Sequence, residues 1–356
     1  MYWLPVAIML ISRWPLVRKV WQRGKPIIIT LGALIAWAAI SLVWSPDDDV
    51  ARQLRRLLFV VLFLYGFAFF GLLRPESVNG LLRLACHFLA LSCLVALFLQ
   101  YSAGHFEHRA GGLGLLEHPI LGGYSIAIAV LLLVFLPHPT HKWIWIASMT
   151  VMAALIVMTQ SRGLWVGLLS ALLVLAVLRG ERRARIVTCC LLMVAAVGVL
   201  QFWEVITVRG MSFRPEILSA SFELIQQRPW LGLGIGANYD FQLASTDILI
   251  SHSHNLFAHI AIELGLVGLL LWLAVWICVF RVAWNSRDLA LGRALLAILI
   301  FCTIGQLFDG GDLWGSPRAD WFFTWLPVGL GLSLVADRVS DSEDSSGREA
   351  RAERSS

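Results

Sequence analysis

LLFVVLFLYGFAFFGLL, residues 57–73, is a continuous apolar run without a charged side chain. A helix needs about 20 mostly apolar residues to cross the hydrocarbon core of a bilayer, and this run approaches that length. A transmembrane β-strand alternates apolar and polar residues over about ten positions, which this run does not do. It therefore predicts a membrane-spanning α-helix.

The composition extends this prediction to the whole chain. Of 356 residues, 58% are apolar and only 14% are charged, and the mean hydropathy is +0.76. Soluble domains carry about 25% charged residues, so we do not expect a water-soluble enzyme. The apolar residues suffice for roughly ten spans. We predict an all-α fold, a polytopic bundle of transmembrane helices.

Splitting the chain at its polar breaks yields eleven candidate spans. They lie near residues 2–17, 26–45, 54–73, 80–101, 119–136, 143–159, 163–179, 186–202, 256–280, 294–309 and 321–336. We predict one transmembrane domain over residues 1–336. Residues 337–356 are rich in Ser, Glu and Arg and are predicted to form a disordered cytoplasmic tail.

The basic residues predict the orientation of the chain. Counting Arg13 with the first loop, nineteen of the 28 lysines and arginines fall in one set of loops, 18–25, 74–83, 137–142, 179–185, 281–293 and the tail. By the positive-inside rule this set faces the cytoplasm. The net charge of +5 is interpreted as this loop charge, and no nucleic-acid partner is expected.

The longest connection, about 203–255, lies on the predicted outer side, and loops of this length are usually functional or disordered. Pro215 suits a first helical position, and Pro229 would end the helix. The residues that recur on one face of this amphipathic helix are Ile217, Leu218, Ser221, Leu224 and Ile225.

The alternating glycines of WLGLGIG, residues 230–236, lack the strand–helix context of a nucleotide loop, and we interpret them as flexible backbone over a site or at the bilayer edge.

The outer segment ends in SHSHN, residues 251–255, directly before a long apolar helix. A neutral imidazole can take a proton from a hydroxyl, so His254 is a candidate general base; an ordinary residue at a helix entrance is the alternative. No third ligand stands beside His252 and His254, and we expect no metal. Glu263, near the outer leaflet, is either functional or paired with an outer arginine.

Three outer arginines are candidates for binding an anion. Arg162 lies in a tight break between two apolar spans, Arg214 begins the amphipathic helix, and Arg109 lies in a short loop. The guanidinium group suits bidentate recognition of phosphate, although each side chain could instead reach to the membrane interface. Together with His254 they predict an anion site, and a pyrophosphate would need at least two of them.

Several motifs in a fixed order resemble the O-antigen ligase and O-antigen polymerase superfamily of bacterial envelope glycosyltransferases. They are WAAISLVWSPDDD (37–49), SRG (161–163), FRPEIL (213–218), RPWLGLGIGANYDF (228–241) and SHSHNLFAHIAIELGLVG (251–268). The resemblance covers most of the chain. It implies a multi-pass protein of the inner membrane with a periplasmic active site and no metal or other cofactor.

The resemblance also implies roles for individual residues. His254 matches the family's essential histidine, followed by a matching Asn255, and Arg214 and Arg162 match family arginines that would bind pyrophosphate. Arg109 fits a family pattern of an arginine followed by glycines, and Glu263 would support the site. Family ligases usually have twelve spans with both ends cytoplasmic, so this chain, with eleven predicted spans, departs by one at its N-terminus.

The resemblance implies inverting transfer of a glycan from undecaprenyl diphosphate, within the lipid membrane, to an acceptor hydroxyl. A ligase uses lipid A–core or another glycan acceptor, whereas a polymerase extends one lipid-linked repeat with another. The single large outer loop favours the ligase. A transporter of small anions is a third hypothesis, which paired discontinuous helices in two repeats would favour; the sequence has no internal repeat.

Overall fold

The computed structural model describes residues 14–73, 75–104, 109–137, 141–179, 213–242, 249–310 and 312–353, with short pieces between 182 and 193. Its regular structure is almost entirely helical, as predicted. In chain order the helices are α1 Trp14–Ser41, α2 Val50–Leu73, α3 Pro75–Ser102, α4 Pro119–Phe135, α5 Lys142–Met158, α6 Arg162–Arg179, α7 Arg214–Gln227, α8 Leu256–Asn285, α9 Ala290–Phe308 and α10 Asp320–Glu353.

Two small elements complete the described fold. A 3₁₀ turn, Gly114–Leu116, precedes α4. Strands β1 Phe241–Gln242 and β2 Leu249–Ile250 form an antiparallel hairpin in the long outer segment.

Five helices are long and apolar enough to cross a membrane: Val20–Ser41, Val50–Gly71, Ser77–Ser102, Leu256–Asn285 and Ala290–Phe308. Four shorter apolar helices accompany them: Pro119–Phe135, Lys142–Met158, Arg162–Val174 and Asp320–Ala336. Within the described residues, nine of the eleven predicted spans thus coincide with an apolar helix. The predicted spans near 2–17 and 186–202 lie largely outside those residues, so the number of spans stays a prediction.

The short helix α4 lies at the centre of the bundle. It is apolar all round, which is typical of a fully buried helix, and residues 122–135 are all buried. It contacts α5, α9 and α10, and around it α10 packs along α2, α8 along α1, and α9 along α6. This arrangement brings the ends of α6, α8 and α9 together.

Hydrogen bonds between loops agree with the predicted division of the loops into two sets. At one end, Ile235 N donates to Ser41 Oγ at 3.0 Å and Ser45 Oγ donates to Ile235 O at 2.7 Å, joining two predicted outer loops. At the other end, Arg83 donates to Pro137 O at 2.6 Å, joining two predicted cytoplasmic loops. Which end is periplasmic stays a prediction.

Helix α10 continues to Glu353, beyond the end of the last predicted span. The disordered cytoplasmic tail over residues 337–356 stays a prediction. Among the cysteines, Cys86, Cys93 and Cys302 are buried, Cys278 is half-buried, and Cys189 and Cys190 are exposed.

Candidate functional site

A cavity of about 380 Å³ opens at the predicted outer end of the bundle. It lies between the first turns of α6 and α7, the residues that precede α8 and the last turn of α9. Its lining residues are Arg162, Gly163, Val166, Arg214, Pro215, Leu218, Ser253, His254, Asn255, Leu307 and Phe308. Three predicted site residues that are distant in sequence, Arg162, Arg214 and His254, therefore meet in one cavity.

Arg162 is presented by a tight turn between α5 and α6. Gln160 has a left-handed backbone with φ of 51°, and Ser161 N donates to Thr159 Oγ1 at 3.3 Å. Arg162 is then the first residue of α6. The helix start adds N–H groups and a positive dipole end to the guanidinium charge, which favours an anion at this position.

Arg109 stabilises this turn from outside the cavity. Its Nε donates to Thr159 O at 2.7 Å, and Ala110 N donates to Met158 O at 3.0 Å. Arg109 is not among the cavity-lining residues, although its charge reaches Asp309 and lowers the pKa of that carboxyl. Direct binding of pyrophosphate by Arg109 stays a prediction.

Arg214 is the first residue of α7, the predicted amphipathic helix. Phe213, just before it, has a left-handed backbone with φ of 57°, which turns the chain into the helix. The helix buries Ile217 against Ile262 of α8. Leu218, expected on the same face, is instead 39% exposed and lines the cavity.

His254 is held in a constrained backbone at the entrance of α8. Its φ is 48°, a left-handed conformation that costs a non-glycine residue energy. Ser253 Oγ donates to Asn255 O at 2.8 Å, and the His252 and His254 rings lie 4.0 Å apart between centroids.

Asn255 fixes the position of His254 through both ends of its amide. Its Oδ1 accepts from Ala258 N at 3.0 Å and so caps α8, as asparagine does well at this position. Its Nδ2 donates to Leu307 O at 3.1 Å, at the last turn of α9. Asn255 thus joins the start of α8 to the end of α9, and its supporting role at the site stays a prediction.

Asp309, at the end of α9, joins the two sides of the cavity. Its Oδ1 accepts from Arg214 Nη2 at 3.3 Å and lies 4.0 Å from His254 Nδ1. Its Oδ2 accepts from the Tyr124 hydroxyl at 3.2 Å. Sequence reasoning missed Asp309 because Glu263 was the only outer acid that it weighed for the site; a carboxylate before two glycines at a predicted outer span end was the available signal.

The local environment shifts the pKa values of both titratable groups. Burial, together with the charges of His252 and Arg214, lowers the pKa of His254 to about 4. Burial raises the pKa of Asp309 to about 6, against the opposing effects of Arg214 and Tyr124. At neutral pH, His254 is therefore uncharged with a free lone pair, while Asp309 is ionised.

Glu263 lies apart from the cavity, and its partners among the described residues are Gly236 and His259 rather than an arginine. Its Oε1 accepts from Gly236 N at 3.0 Å, and its Oε2 lies 3.4 Å from His259 Nε2. Any support that Glu263 gives to the site is therefore indirect.

The described residues contain no group of three or more His, Cys, Asp or Glu side chains that could hold a metal ion. The cavity instead offers two guanidinium groups and one neutral imidazole. Such a set can bind an anionic group and accept a proton from a hydroxyl beside it.

Comparison with known proteins places this cavity in a wider context. Residues 147–273 match a family model described as O-Antigen ligase, and that stretch includes Arg162, Arg214 and His254. The chain is also 30% identical over 319 residues to the O-antigen ligase of Pseudomonas aeruginosa, an alignment that covers 87% of this chain and 78% of that protein.

Proposed function

The chain belongs to the O-antigen ligase family, and from this premise we propose that it is a glycosyltransferase of lipopolysaccharide synthesis. It transfers a glycan from undecaprenyl diphosphate to a hydroxyl of lipid A–core at the periplasmic face of the inner membrane. The observation that carries the proposal is the meeting of Arg162, Arg214 and His254 in one cavity. The ligase is favoured over a polymerase, which would use the same chemistry with a lipid-linked acceptor.

The cavity suits a donor that is both anionic and lipidic. Arg162 and Arg214 present planar guanidinium groups, which bind phosphate oxygens in pairs. Beside them stand apolar side chains, among which Val166 and Leu307 are each 50% exposed. A diphosphate would bind at the arginines, with the first isoprene units of the donor along the apolar wall.

In the proposed reaction, His254 is the general base. Its Nδ1 faces Asp309, which leaves Nε2 to take the proton of the acceptor hydroxyl. The hydroxyl oxygen attacks the anomeric carbon of the donor sugar, and the bond from that carbon to the diphosphate oxygen breaks with inversion. The arginines stabilise the charge that develops on the departing undecaprenyl diphosphate, where preorganised donors are most effective.

Asp309 has one proposed role before the donor binds and another after it has bound. Without donor, its carboxylate neutralises Arg214, which is 31% exposed at the side chain. When the donor diphosphate binds Arg214 in place of Asp309, the Asp309 carboxylate can accept a hydrogen bond from His254 Nδ1. It then stabilises the imidazolium that forms as the proton is taken, in the manner of an orienting carboxylate beside a catalytic histidine.

The test is transfer by His254→Asn in liposomes that contain the lipid-linked donor and lipid A–core. Asparagine tolerates a left-handed backbone, so this variant removes the base with little added strain. We expect the rate to fall by about 10²–10⁴-fold while donor binding stays unchanged.

The matched control is His141→Ala, at an exposed position where the side chain makes no capping hydrogen bond. It should transfer at the wild-type rate. Normal transfer by His254→Asn would show that another group is the base.

A further inference from the structure

Helix α8 consists of two segments that meet at a break. Gly265 has φ of 67° and ψ of −173°, a conformation open almost only to glycine. The whole helix of 30 residues is about 45 Å long, whereas a bilayer core is about 30 Å thick. The lower segment, 266–285, can span alone, and the upper segment, 256–264, is a separate short helix that His254 precedes.

The broken backbone finds its hydrogen bonds in the glycine-rich segment 229–236. Leu233 N and Gly234 N donate to the carbonyls of residues 262 and 263, each at 2.8 Å, and Leu266 N donates to Pro229 O at 2.7 Å. Trp37 Nε1 donates to Leu264 O at 2.9 Å. Backbone groups freed in a membrane protein must be satisfied by such partners.

The alternating glycines permit this docking. A Cβ at Gly232 would collide with the backbone of Glu263, and one at Gly234 with the backbone of Ser45. The spacing of glycines in 230–236 is thus explained by the close approach of the segment to α8 on one side and to the first outer loop on the other.

A chain of polar side chains joins this segment to the upper part of α8. The Tyr239 hydroxyl and His259 Nδ1 lie 2.7 Å apart, His259 Nε2 lies 3.4 Å from Glu263 Oε2, and Glu263 Oε1 accepts from Gly236 N at 3.0 Å. His259 and Glu263 are only 5% and 4% exposed. None of the three side chains lines the cavity.

A buried pair of polar side chains such as His259 and Glu263 is a poor source of stability, because apolar side chains of the same volume often pack as well. Such a pair instead specifies the geometry of its surroundings, because each buried polar atom must lie at hydrogen-bonding distance from a partner. These contacts hold both the glycine-rich segment and the upper segment of α8 in place. The first backbone hydrogen bond of that upper segment runs from His259 N to Asn255 O at 2.9 Å, and its acceptor is the residue directly after His254.

We propose that Tyr239, His259 and Glu263 form a positioning network that orients the upper segment of α8 and, through it, His254 at the cavity. The role of His254 in this statement rests on the proposed function. The three residues touch neither donor nor acceptor; they set the direction from which the imidazole approaches the acceptor hydroxyl.

The test compares Tyr239→Phe and Glu263→Gln with the control Glu223→Gln, an exposed carboxyl on α7. Misplacing a reactive group by about 1 Å can cost about 100-fold in rate, so we expect kcat to fall roughly 10- to 100-fold in both network variants. The KM for the donor should stay unchanged, because Arg162 and Arg214 are not displaced. The control should match the wild type in both constants.

Hydrogen–deuterium exchange provides a readout that does not depend on activity. In the network variants, amides of 233–234 and 256–264 should exchange faster, while those of 266–285 keep wild-type protection. Unchanged exchange or an unchanged kcat would overturn the proposal, as would equal loss of donor binding and kcat. If the wild type transferred no glycan, the proposed function would fail, while the exchange data would still decide whether the network holds the upper segment.

Discussion

Asp309 and His254 form the most consequential pair of side chains at the site. Their nearest oxygen and nitrogen lie 4.0 Å apart, and burial shifts their pKa values in opposite directions, to about 6 for Asp309 and to about 4 for His254. As the pH falls from neutral, Asp309 therefore takes up a proton before His254 does. The site loses its carboxylate while the imidazole is still neutral.

This order predicts the acid limb of the pH–rate profile. We expect kcat/KM for glycan transfer to fall as the pH decreases through about 6, because protonated Asp309 cannot stabilise a His254 imidazolium. Asp309→Asn should be slower at neutral pH and should lack the fall near pH 6. Initial rates between about pH 5 and 8 measure this, with Asp288→Asn, an exposed carboxyl in a predicted cytoplasmic loop, as the control. An unchanged acid limb in Asp309→Asn would contradict this role.

At this scale, the sequence could predict the residues that stand out against an apolar background. Arg162, Arg214 and His254 were recognisable because a charge or an imidazole beside an apolar span needs a reason to be there. Arg109 was recognisable on the same ground, but only the structure shows that it contacts the turn before Arg162. Asp309 becomes significant only through its neighbours, which come from α4, from α7 and from the segment that precedes α8.

At the scale of elements, the break in α8 is the feature that the sequence conceals. Gly265 lies in the largely apolar stretch 256–280, which hydropathy alone predicts as one helix. A Cβ on Gly265 would collide with the backbone of residues 230–231, so the glycine permits the close approach of that segment rather than of another helix. Hydrophobic periodicity indicates which residues are buried, but it does not reveal that one residue within a helix has a non-helical backbone torsion angle φ.

Gly265→Ala tests this account of the break. A Cβ there would meet a strained backbone, which costs about 1–3 kcal/mol, and would also collide with Trp230 O. We expect the thermal unfolding midpoint of the purified protein to fall by about 5 °C or more. Gly66→Ala in α2 is the control, since a Cβ there meets nothing within 4 Å and alanine favours a helix. A Gly265→Ala variant as stable as the wild type would mean that the break is dispensable.

For the whole molecule, hydropathy predicted the helices but not their neighbours. The described part of the chain contains an apolar helix at nine of the predicted positions, because a bilayer imposes length and apolarity on each span separately. Neighbours depend instead on packing between helices, for which a single sequence holds little signal. The central position of α4, and hence the meeting of α6, α8 and α9 at the cavity, came from the structure.

The activity of the assembled site should be visible in the polysaccharide at the cell surface. If the chain attaches finished glycans to lipid A–core, a strain that lacks it should make lipopolysaccharide without long chains and should accumulate polymer on undecaprenyl diphosphate. The direct measurement is a gel of surface polysaccharide from that strain, beside the same strain carrying the wild-type chain or His254→Asn. We predict that only the wild-type chain restores the long bands. Bands with a single repeat would indicate a polymerase instead, and an unchanged ladder in the deletion strain would contradict the account altogether.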